Sequence, residues 1–284
     1  MLGAIIGDLA GSSYEVEEVS YFRKYHKPRP YDERIKIMDK TVPLFLDNSS
    51  FTDDTCWTCA IYDAIINGNF EYEKYLREYG MRELNKGQDI YGRSRFGKGS
   101  VEWLKGNYQG ESYGNGAAMR ISPIGFCFDS SSQIKEESYK ATIPSHNNIE
   151  ALKSAEAVAI SIYLLRFGIE RCELKDYIEN NYYKLDFDLE ELRHNYTFTS
   201  RSKDSVPQAF FIFFSSNDFE DAIRKAISIG GDTDTIASIT GALAEAYYGV
   251  PLELKEKLAT LLDEDTYNLL KKRYFAKKEY ILKG

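Results

Sequence analysis

The sequence predicts a compact, mostly α-helical fold. Apolar residues recur at spacings of three and four wherever a periodic pattern is clear, which is typical of helices that bury one face. The strand–helix alternation that a parallel sheet requires is not visible. No glycine- or proline-rich linker divides the chain, so we expect residues 1–284 to form a single all-α domain.

The helical period is clearest in residues 150–168. Leu152, Ala155 and Ala159 form one apolar stripe there, and Gly168 is a typical end signal. The same spacing predicts further helices over 55–68, 205–216, 219–229, 235–249, 252–264 and 271–284.

Two regions lack a steady period and are predicted to be loops. Residues 16–50 mix aromatic and charged side chains with three prolines, and residues 85–100 contain four glycines among polar residues. Loops on a helical scaffold often carry binding groups. We therefore expect these two regions to contribute to substrate recognition.

Composition and charge exclude several classes of protein. A net charge of -8 without a lysine or arginine run argues against general nucleic-acid binding. The longest apolar run, 209–214, is far shorter than the ~18 residues of a membrane-spanning helix, and Asp8 interrupts the apolar N-terminus. Four cysteines are too few for a disulfide scaffold, so we expect packed, reduced thiols in a cytoplasmic protein.

Four short segments combine glycine with hydroxyl or carboxylate side chains beside apolar helices. They are 7-GDLAGSSYE-15, 51-FTDDT-55, 114-GNGAAMRISPIG-125 and 230-GGDTDT-235. The third is consistent either with a tight turn before a buried helix or with a glycine-rich turn whose amides bind a phosphate.

The two acidic segments each open a predicted helix and admit two interpretations. Aspartate and threonine commonly cap helix N-termini. Capping needs only one side chain per helix end, however, and surplus carboxylates repel one another when desolvated. A bound cation would remove that repulsion, and oxygen ligands favour Mg²⁺, Mn²⁺ or Ca²⁺ over Zn²⁺. Gly230 and Gly231 would allow the sharp turn that such a site needs.

Taken in this order, the four segments resemble the ADP-ribosylglycohydrolase family over nearly the whole chain. The resemblance implies an orthogonal all-α helical bundle with two divalent cations, Mg²⁺ or Mn²⁺, in a cleft that binds ADP-ribose. It implies metal ligands at Thr52, Asp53, Asp54, Asp232, Asp234, Thr235 and Glu15. The implied cleft wall consists of Ser112, Tyr113, Gly114, Asn115, Gly116 and His146.

The implied reaction is hydrolysis of the bond between ADP-ribose and an acceptor, with Glu15, Asp54 and Asp234 as catalytic residues and Asp89 as a weaker candidate. Paired aspartates would equally serve a two-metal phosphohydrolase acting on a nucleotide. A protein that binds ADP-ribose without hydrolysing it is a third interpretation. The residues leave open whether the acceptor is arginine, serine, nucleic acid or a small molecule.

Overall fold

The computed structural model describes residues 1–88, 92 and 94–275. This part of the chain is all-α, as predicted, with short 3-10 helices at Ile35–Met38 and Ser202–Asp204, a π-helix at Lys271–Phe275 and no strand. The α-helices are α1 (Leu2–Tyr25), α2 (Tyr31–Arg34), α3 (Asp53–Ile66), α4 (Tyr72–Lys86), α5 (Lys98–Leu104), α6 (Gly116–Arg120), α7 (Ser122–Cys127), α8 (Ser131–His146), α9 (Ile149–Arg166), α10 (Arg171–Asn181), α11 (Leu189–Asn195), α12 (Val206–Ser215), α13 (Phe219–Ser228), α14 (Thr233–Tyr248), α15 (Leu252–Leu261) and α16 (Glu264–Leu270). No helix in this part is long and apolar enough to cross a membrane.

Helix α14 lies at the centre of the fold. Every residue from Thr233 to Ala244 is buried, and the helix contacts α1, α9, α12 and α13. Its most extensive contact is with α1, which is itself buried from Leu2 to Ser13. The core therefore joins the first helix of the chain to one of the last.

Glycine allows α1 and α14 to approach closely. The two helices run antiparallel, because Gly3 lies against Gly241 whereas Gly7 lies against Ala237. A Cβ atom built on Gly7 would lie 2.0 Å from the Ala237 carbonyl oxygen, a distance no real side chain tolerates. Small residues at this spacing let the two backbones touch.

Most predicted helices are present. The segments 55–68, 150–168, 205–216, 219–229 and 235–249 correspond to α3, α9, α12, α13 and α14. The segment 252–264 is divided, because α15 ends at Leu261 and α16 begins at Glu264. The predicted helix over 271–284 begins as the π-helix, and residues 276–284 lie outside the described part.

The prediction of a loop over residues 16–50 is wrong for its first part. Helix α1 continues through these residues to Tyr25 and ends at His26, whose φ of 54° is left-handed. No proline occurs before Pro28, and the mixed charges and aromatics conceal a regular helix. The segment 7–15 accordingly lies inside α1 and not beside a helix.

The region 85–100 is largely non-helical where the structure describes it. Helix α4 ends at Lys86 and α5 begins at Lys98. The candidate Asp89 lies outside the described residues.

All four cysteines are free thiols. Cys56 and Cys59 are buried in α3, as expected, and Cys127 is partly buried. Cys172 is exposed, so the expectation of four packed thiols is wrong at this position because the first turn of α10 faces solvent there.

We predict that Gly7→Ala lowers the free energy of unfolding by about 3 kcal/mol, the upper end of the range for overpacking, because α1 and α14 must separate. Urea denaturation measures this change. Gly99→Ala is the matched control: no atom lies within 4 Å of the position that its Cβ would occupy, and this substitution should be neutral or stabilise by up to about 1 kcal/mol. Equal stability of the two variants would contradict the close helix contact.

Candidate functional site

The first acidic segment, FTDDT, leads into α3. The Thr52 hydroxyl accepts a hydrogen bond from the Asp54 amide at 3.4 Å, so the helix-capping interpretation holds for Thr52. Capping by Thr52 does not involve the carboxylates of Asp53 and Asp54. Asp54 is buried, and its Oδ1 atom has no hydrogen-bond partner in the described structure.

Asp8 of α1, which the sequence motifs do not single out as a site residue, holds this segment in place. Its buried carboxylate accepts hydrogen bonds from the amide and hydroxyl of Thr52 and from the amide and hydroxyl of Thr55, at 2.5 to 3.2 Å. Both carboxylate oxygens are thus engaged, and Asp8 does not line the cavity described below. We interpret Asp8 as a positioning residue.

The second acidic segment begins with two glycines in a left-handed conformation, Gly230 at φ 75° and Gly231 at φ 77°. This is the sharp turn that the sequence predicts. Asp232 directly precedes α14, yet its side chain caps no helix amide. It accepts instead a hydrogen bond from the Asn115 side-chain amide at 2.7 Å, so capping does not account for Asp232.

A buried ion pair supports this turn from behind. Arg34 and Glu18 are both buried and form a two-pronged pair, in which Arg34 Nε donates to Glu18 Oε1 at 3.1 Å and Nη2 donates to Oε2. The guanidinium packs so closely on Gly230 that a Cβ there would lie 2.4 Å from Cζ. Gly231 packs as closely on the Tyr196 ring. Both turn positions therefore require glycine for space as well as for conformation.

The acidic segments and α1 bring their carboxylates together. One oxygen each of Asp8, Asp54 and Asp234 lies within 4.8 Å of the others. A second group at the same limit contains Glu15, Asp232 and Asp234. Asp234 belongs to both groups, so the two groups are adjacent and could hold two cations.

The remaining predicted ligands lie at the margin of this cluster. The Thr235 hydroxyl donates to Asp54 Oδ2 at 3.4 Å, and the Thr52 hydroxyl lies 3.2 Å from the same oxygen. Asp53 belongs to neither carboxylate group and accepts a hydrogen bond from Ser100 at 3.3 Å. It is therefore placed less centrally than the sequence motif suggests.

Burial and mutual repulsion raise the pKa of these carboxyl groups. The pKa values of Asp54 and Asp234 lie well above the usual range, first because of burial and then because of neighbouring carboxylates. Burial, followed by the charge of a nearby carboxylate, raises the pKa of Asp53 and of Asp232 to about 7. None of the four forms an ion pair with a described lysine, arginine or histidine. Added positive charge would therefore stabilise the ionised forms of these four aspartates.

The carboxylates form part of a cavity of about 920 Å³. Apart from Asp89, which lies outside the described residues, the residues that the sequence predicts for the site line this cavity: Glu15, Thr52, Asp53, Asp54, Ser112, Tyr113, Gly114, Asn115, Gly116, His146, Asp232, Asp234 and Thr235. The fold thus brings together residues from five separate parts of the chain.

A glycine-rich loop forms one wall of the cavity. The Gly114 amide donates to the Ser112 hydroxyl at 3.0 Å, and the Asn115 amide donates to the Ser200 carbonyl at 2.9 Å. These two amides are therefore already satisfied and not free for a phosphate. Tyr113 is 53% exposed and presents its ring at the rim.

His146, the last residue of α8, packs against this loop. A Cβ on Gly116 would lie 3.0 Å from His146 Nε2, so any larger residue there would require the imidazole to shift. The Nδ1 atom is 2.7 Å from the Ser145 hydroxyl. Burial, with a smaller contribution from the nearby Arg120, lowers the pKa of His146 well below its usual value. The imidazole is therefore neutral at pH 7, and His146 is a buried cavity residue and not a surface or capping residue.

The cavity also has lining residues that the sequence motifs do not indicate. Trp103, Tyr108 and Phe198 contribute aromatic surface, and Arg23 and Lys98 contribute positive charge. Arg23 and Lys98 lie in the two regions, 16–50 and 85–100, that we expect to contribute to recognition, whereas no feature of the sequence marks the three aromatic residues.

Comparison with known proteins identifies the family. The family model described as ADP-ribosylglycohydrolase matches residues 1–280. The chain belongs to the ADP-ribosylglycohydrolase family. Family membership makes this protein a hydrolase of ADP-ribose linkages.

Named relatives of this ADP-ribosylglycohydrolase span most of its length. ADP-ribosylarginine hydrolase Tri1 of Pseudomonas putida (strain GB-1) is 27% identical over 286 residues, which cover 91% of this chain and 73% of the relative. Human ADP-ribosylhydrolase ARH3 is 24% identical, covering 88% of this chain and 84% of its own. A solved structure named ADP-ribosylglycohydrolase-related protein complex has the same fold, with a TM-score of 0.66, 19% identity and coverage of 94% and 93%.

We predict that the carboxylate cluster increasingly destabilises the metal-free ADP-ribosylglycohydrolase as pH rises. A carboxyl group whose pKa is raised in the folded state does not lower the free energy of unfolding below its unfolded pKa, near 4. Between that pH and its folded pKa, about 7 for Asp53 and Asp232, it lowers the free energy of unfolding increasingly. Each pKa unit corresponds to about 1.4 kcal/mol. Urea unfolding in EDTA at pH 5, 6, 7 and 8 measures the decline.

The control is Asp234→Asn, which keeps the side-chain shape and removes one ionising group. Its stability should decline less steeply with pH than that of the wild type. A pH profile that Asp234→Asn leaves unchanged would contradict the proposed repulsion within the cluster.

Proposed function

We propose that this chain is a metal-dependent hydrolase that cleaves the glycosidic bond between ADP-ribose and an acceptor. The supporting observation is the carboxylate cluster in the cavity. Asp54, Asp232 and Asp234 are buried, Asp234 has a carboxylate oxygen within 4.8 Å of one on Asp54 and of one on Asp232, and none of the three has a cationic partner among the described residues. Such a group of like charges is stable only when protonated or when it binds cations.

The residues present fit divalent cations. Asp54 Oδ1 is a buried oxygen without a hydrogen-bond partner among the described residues, as expected of an atom that completes its environment with a ligand. The remaining donors in reach are carboxylate and hydroxyl oxygens, with no cysteine or histidine in either group. Hard oxygen donors favour Mg²⁺ or Mn²⁺ over Zn²⁺. We propose that Thr52, Asp53, Asp54, Asp232, Asp234, Thr235 and Glu15 hold two such ions.

The chemistry that two bound cations supply is Lewis acidity, which orients ribose hydroxyls and lowers the pKa of a water molecule. The protein residues would position the two cations and neutralise their positive charge. Asn115 fixes the orientation of Asp232, and Asp8 fixes the loop that carries Asp54. Glu15 is only partly buried, so we assign it the most mobile role, as a ligand that yields to substrate or as the group that handles the proton of the attacking water.

The reaction separates the anomeric carbon of ribose from the acceptor. Positive charge develops at this carbon as the bond breaks, and the cluster of carboxylates stabilises it. A water molecule forms the new bond to the same carbon, and the acceptor leaves with the bonding electron pair. One proton of the water passes through a carboxylate to the departing acceptor, so that both the carboxylate and the acceptor are restored. The products are ADP-ribose and the intact acceptor.

The glycine-rich wall is the proposed binding surface for the diphosphate and adjacent ribose. Ser112, Tyr113, Gly114, Asn115 and Gly116 carry no side chain large enough to block it apart from the exposed tyrosine ring. His146 beside them is neutral because its pKa is low, so it can form a hydrogen bond but does not add charge. Recognition of the diphosphate then depends on hydrogen bonds and on the cations.

We predict metal-dependent release of ADP-ribose by this protein. The substrates to test are ADP-ribosylated arginine, the acceptor class in the name of the Pseudomonas relative, together with serine-linked and nucleic-acid-linked ADP-ribose. Release should require Mg²⁺ or Mn²⁺ and stop in EDTA. Asp54→Ala or Asp234→Ala should lower the rate by about 10³-fold or more, because transition-state stabilisation depends on the cluster.

Asp176→Ala, which removes an exposed aspartate from α10, is the matched control and should keep full activity. Full activity of Asp54→Ala or Asp234→Ala would contradict the two-metal model. Release of inorganic phosphate would indicate a phosphohydrolase instead. Tight ADP-ribose binding without release from any acceptor would indicate a binding protein.

A further inference from the structure

The end of α1 that extends beyond the core carries a group of positive charges. Arg23, Lys24 and Lys27 are all exposed, and none forms an ion pair with another described residue. Tyr21 and Tyr25 stand among them, with ring centroids 4.5 Å apart. We call these five residues the basic end of α1.

Unpaired positive charge is not general in this region. Arg29, only two residues further along than Lys27, is largely buried and pairs with Glu17, Glu18 and Glu33. The cations at the basic end of α1 have no such partners among the described residues and face solvent in a chain of net charge -8. The helix dipole favours positive residues near a helix C-terminus, which accounts for Arg23 and Lys24 in the last turn of α1. It does not account for Lys27, which lies beyond the helix.

The basic end of α1 continues directly from the cavity. Glu15, Val19 and Arg23 all line it and follow one another at intervals of four along a single face of α1. Arg23 lies about 12 Å along the helix axis from Glu15, at a rise of about 1.5 Å per residue. An acceptor that leaves the carboxylate cluster along this face therefore meets Arg23 first.

A further cation stands at the cavity mouth on a different element. Lys98, at the start of α5, lines the cavity, is exposed and forms no ion pair with a described residue. Positive side chains from two parts of the chain thus border an otherwise acidic cavity. This distribution disfavours a basic acceptor in the outer part and favours an anionic one.

Resting on the proposed function, we propose that the acceptor is single-stranded nucleic acid, whose phosphates bind the basic end of α1. The aromatic rings decide between nucleic acid and an acidic protein. Tyr25 is 47% exposed, and Lys24 lies over its ring at 5.0 Å from the centroid. Cations that follow a phosphate backbone beside exposed aromatic rings that stack on bases are typical of surfaces that bind single strands.

This proposal agrees with the net charge of the chain. The negative overall charge disfavours general nucleic-acid binding, but a strand whose ADP-ribose occupies the cavity is held beside the basic end at high effective concentration. The basic residues are spread over a helix end and a short extension with aromatics and a histidine between them. They therefore do not stand out in the sequence as a run.

The test measures fluorescence anisotropy of a labelled single-stranded DNA 12-mer without ADP-ribose, between about 50 and 200 mM salt. We expect weak binding by the wild type with a slope of log K against log salt of roughly -2, about -0.7 for each of three phosphate contacts. Lys24→Glu combined with Lys27→Glu should weaken binding at least tenfold. It should also raise KM for ADP-ribose release from an ADP-ribosylated 12-mer by a similar factor.

The matched control combines Lys184→Glu with Lys257→Glu, two exposed lysines away from the cavity with the same change in charge. It should bind the 12-mer like the wild type. Equal loss in both double variants, or no loss in the first, would overturn the proposal. Equal binding of a glutamate-rich 12-residue peptide would overturn it in favour of an acidic protein.

Failure of the proposed function gives a different result. A wild type that releases ADP-ribose from no acceptor, while its binding of the 12-mer depends on Lys24 and Lys27, counts against hydrolysis and supports the surface. A wild type that hydrolyses arginine- or serine-linked ADP-ribose without binding the 12-mer overturns the surface alone.

Discussion

The backbones of α1 and α14 touch, and the position of the site depends on this contact. Gly7 lies against Ala237, and Gly11 lies against Asp234 so closely that a Cβ would be 2.5 Å from the Asp234 Cα. This register places the start of α14 beside the middle of α1. Glu15, one helical turn beyond Gly11, consequently reaches the carboxylates of the GGDTDT segment. Larger residues in the contact would separate the two halves of the site.

The site carries an energetic cost because it brings several buried carboxylates together. Two buried carboxylates beside it are matched: Glu18 has Arg34, and Asp8 has four donors from Thr52 and Thr55. Asp54, Asp232 and Asp234 have no cationic partner among the described residues, and burial together with neighbouring carboxylates raises the pKa of each. Proteins tolerate destabilising groups of this kind chiefly at functional sites, where a ligand completes them. The matched pairs nearby keep the unmatched groups in position.

Much of the site could be predicted from the sequence because its residues lie in distinctive segments. Each acidic segment places more carboxylates in front of an apolar helix than capping needs, and the structure places the predicted ligands of both segments around one cavity. Asp8 lies in the distinctive segment 7–15, but nothing in that segment shows that its side chain supports another segment. Its role depends on Thr52 and Thr55, which only the tertiary structure brings near.

A helix can be predicted from the sequence when burial of one or more of its faces produces a regular spacing of apolar residues. Helix α14 is buried on nearly all sides and α9 on most, so long apolar runs mark both. Helices α4 and α10 bury only a few residues each and are otherwise polar, so the sequence does not reveal them. The second half of α1 resembles a loop in sequence because its buried residue is Glu18, whose partner Arg34 follows sixteen positions later.

The central claim is that the carboxylate cluster holds two divalent cations, and direct titration with Mn²⁺ tests it. Electron paramagnetic resonance of free Mn²⁺ at a pH of about 7.5, where coordination drives the carboxyl groups to ionise, gives the number of ions bound per chain. The account predicts two ions for the wild type and a loss of binding in Asp234→Asn, since Asp234 belongs to both carboxylate groups. Absence of binding at millimolar Mn²⁺, or undiminished binding by Asp234→Asn, would contradict it.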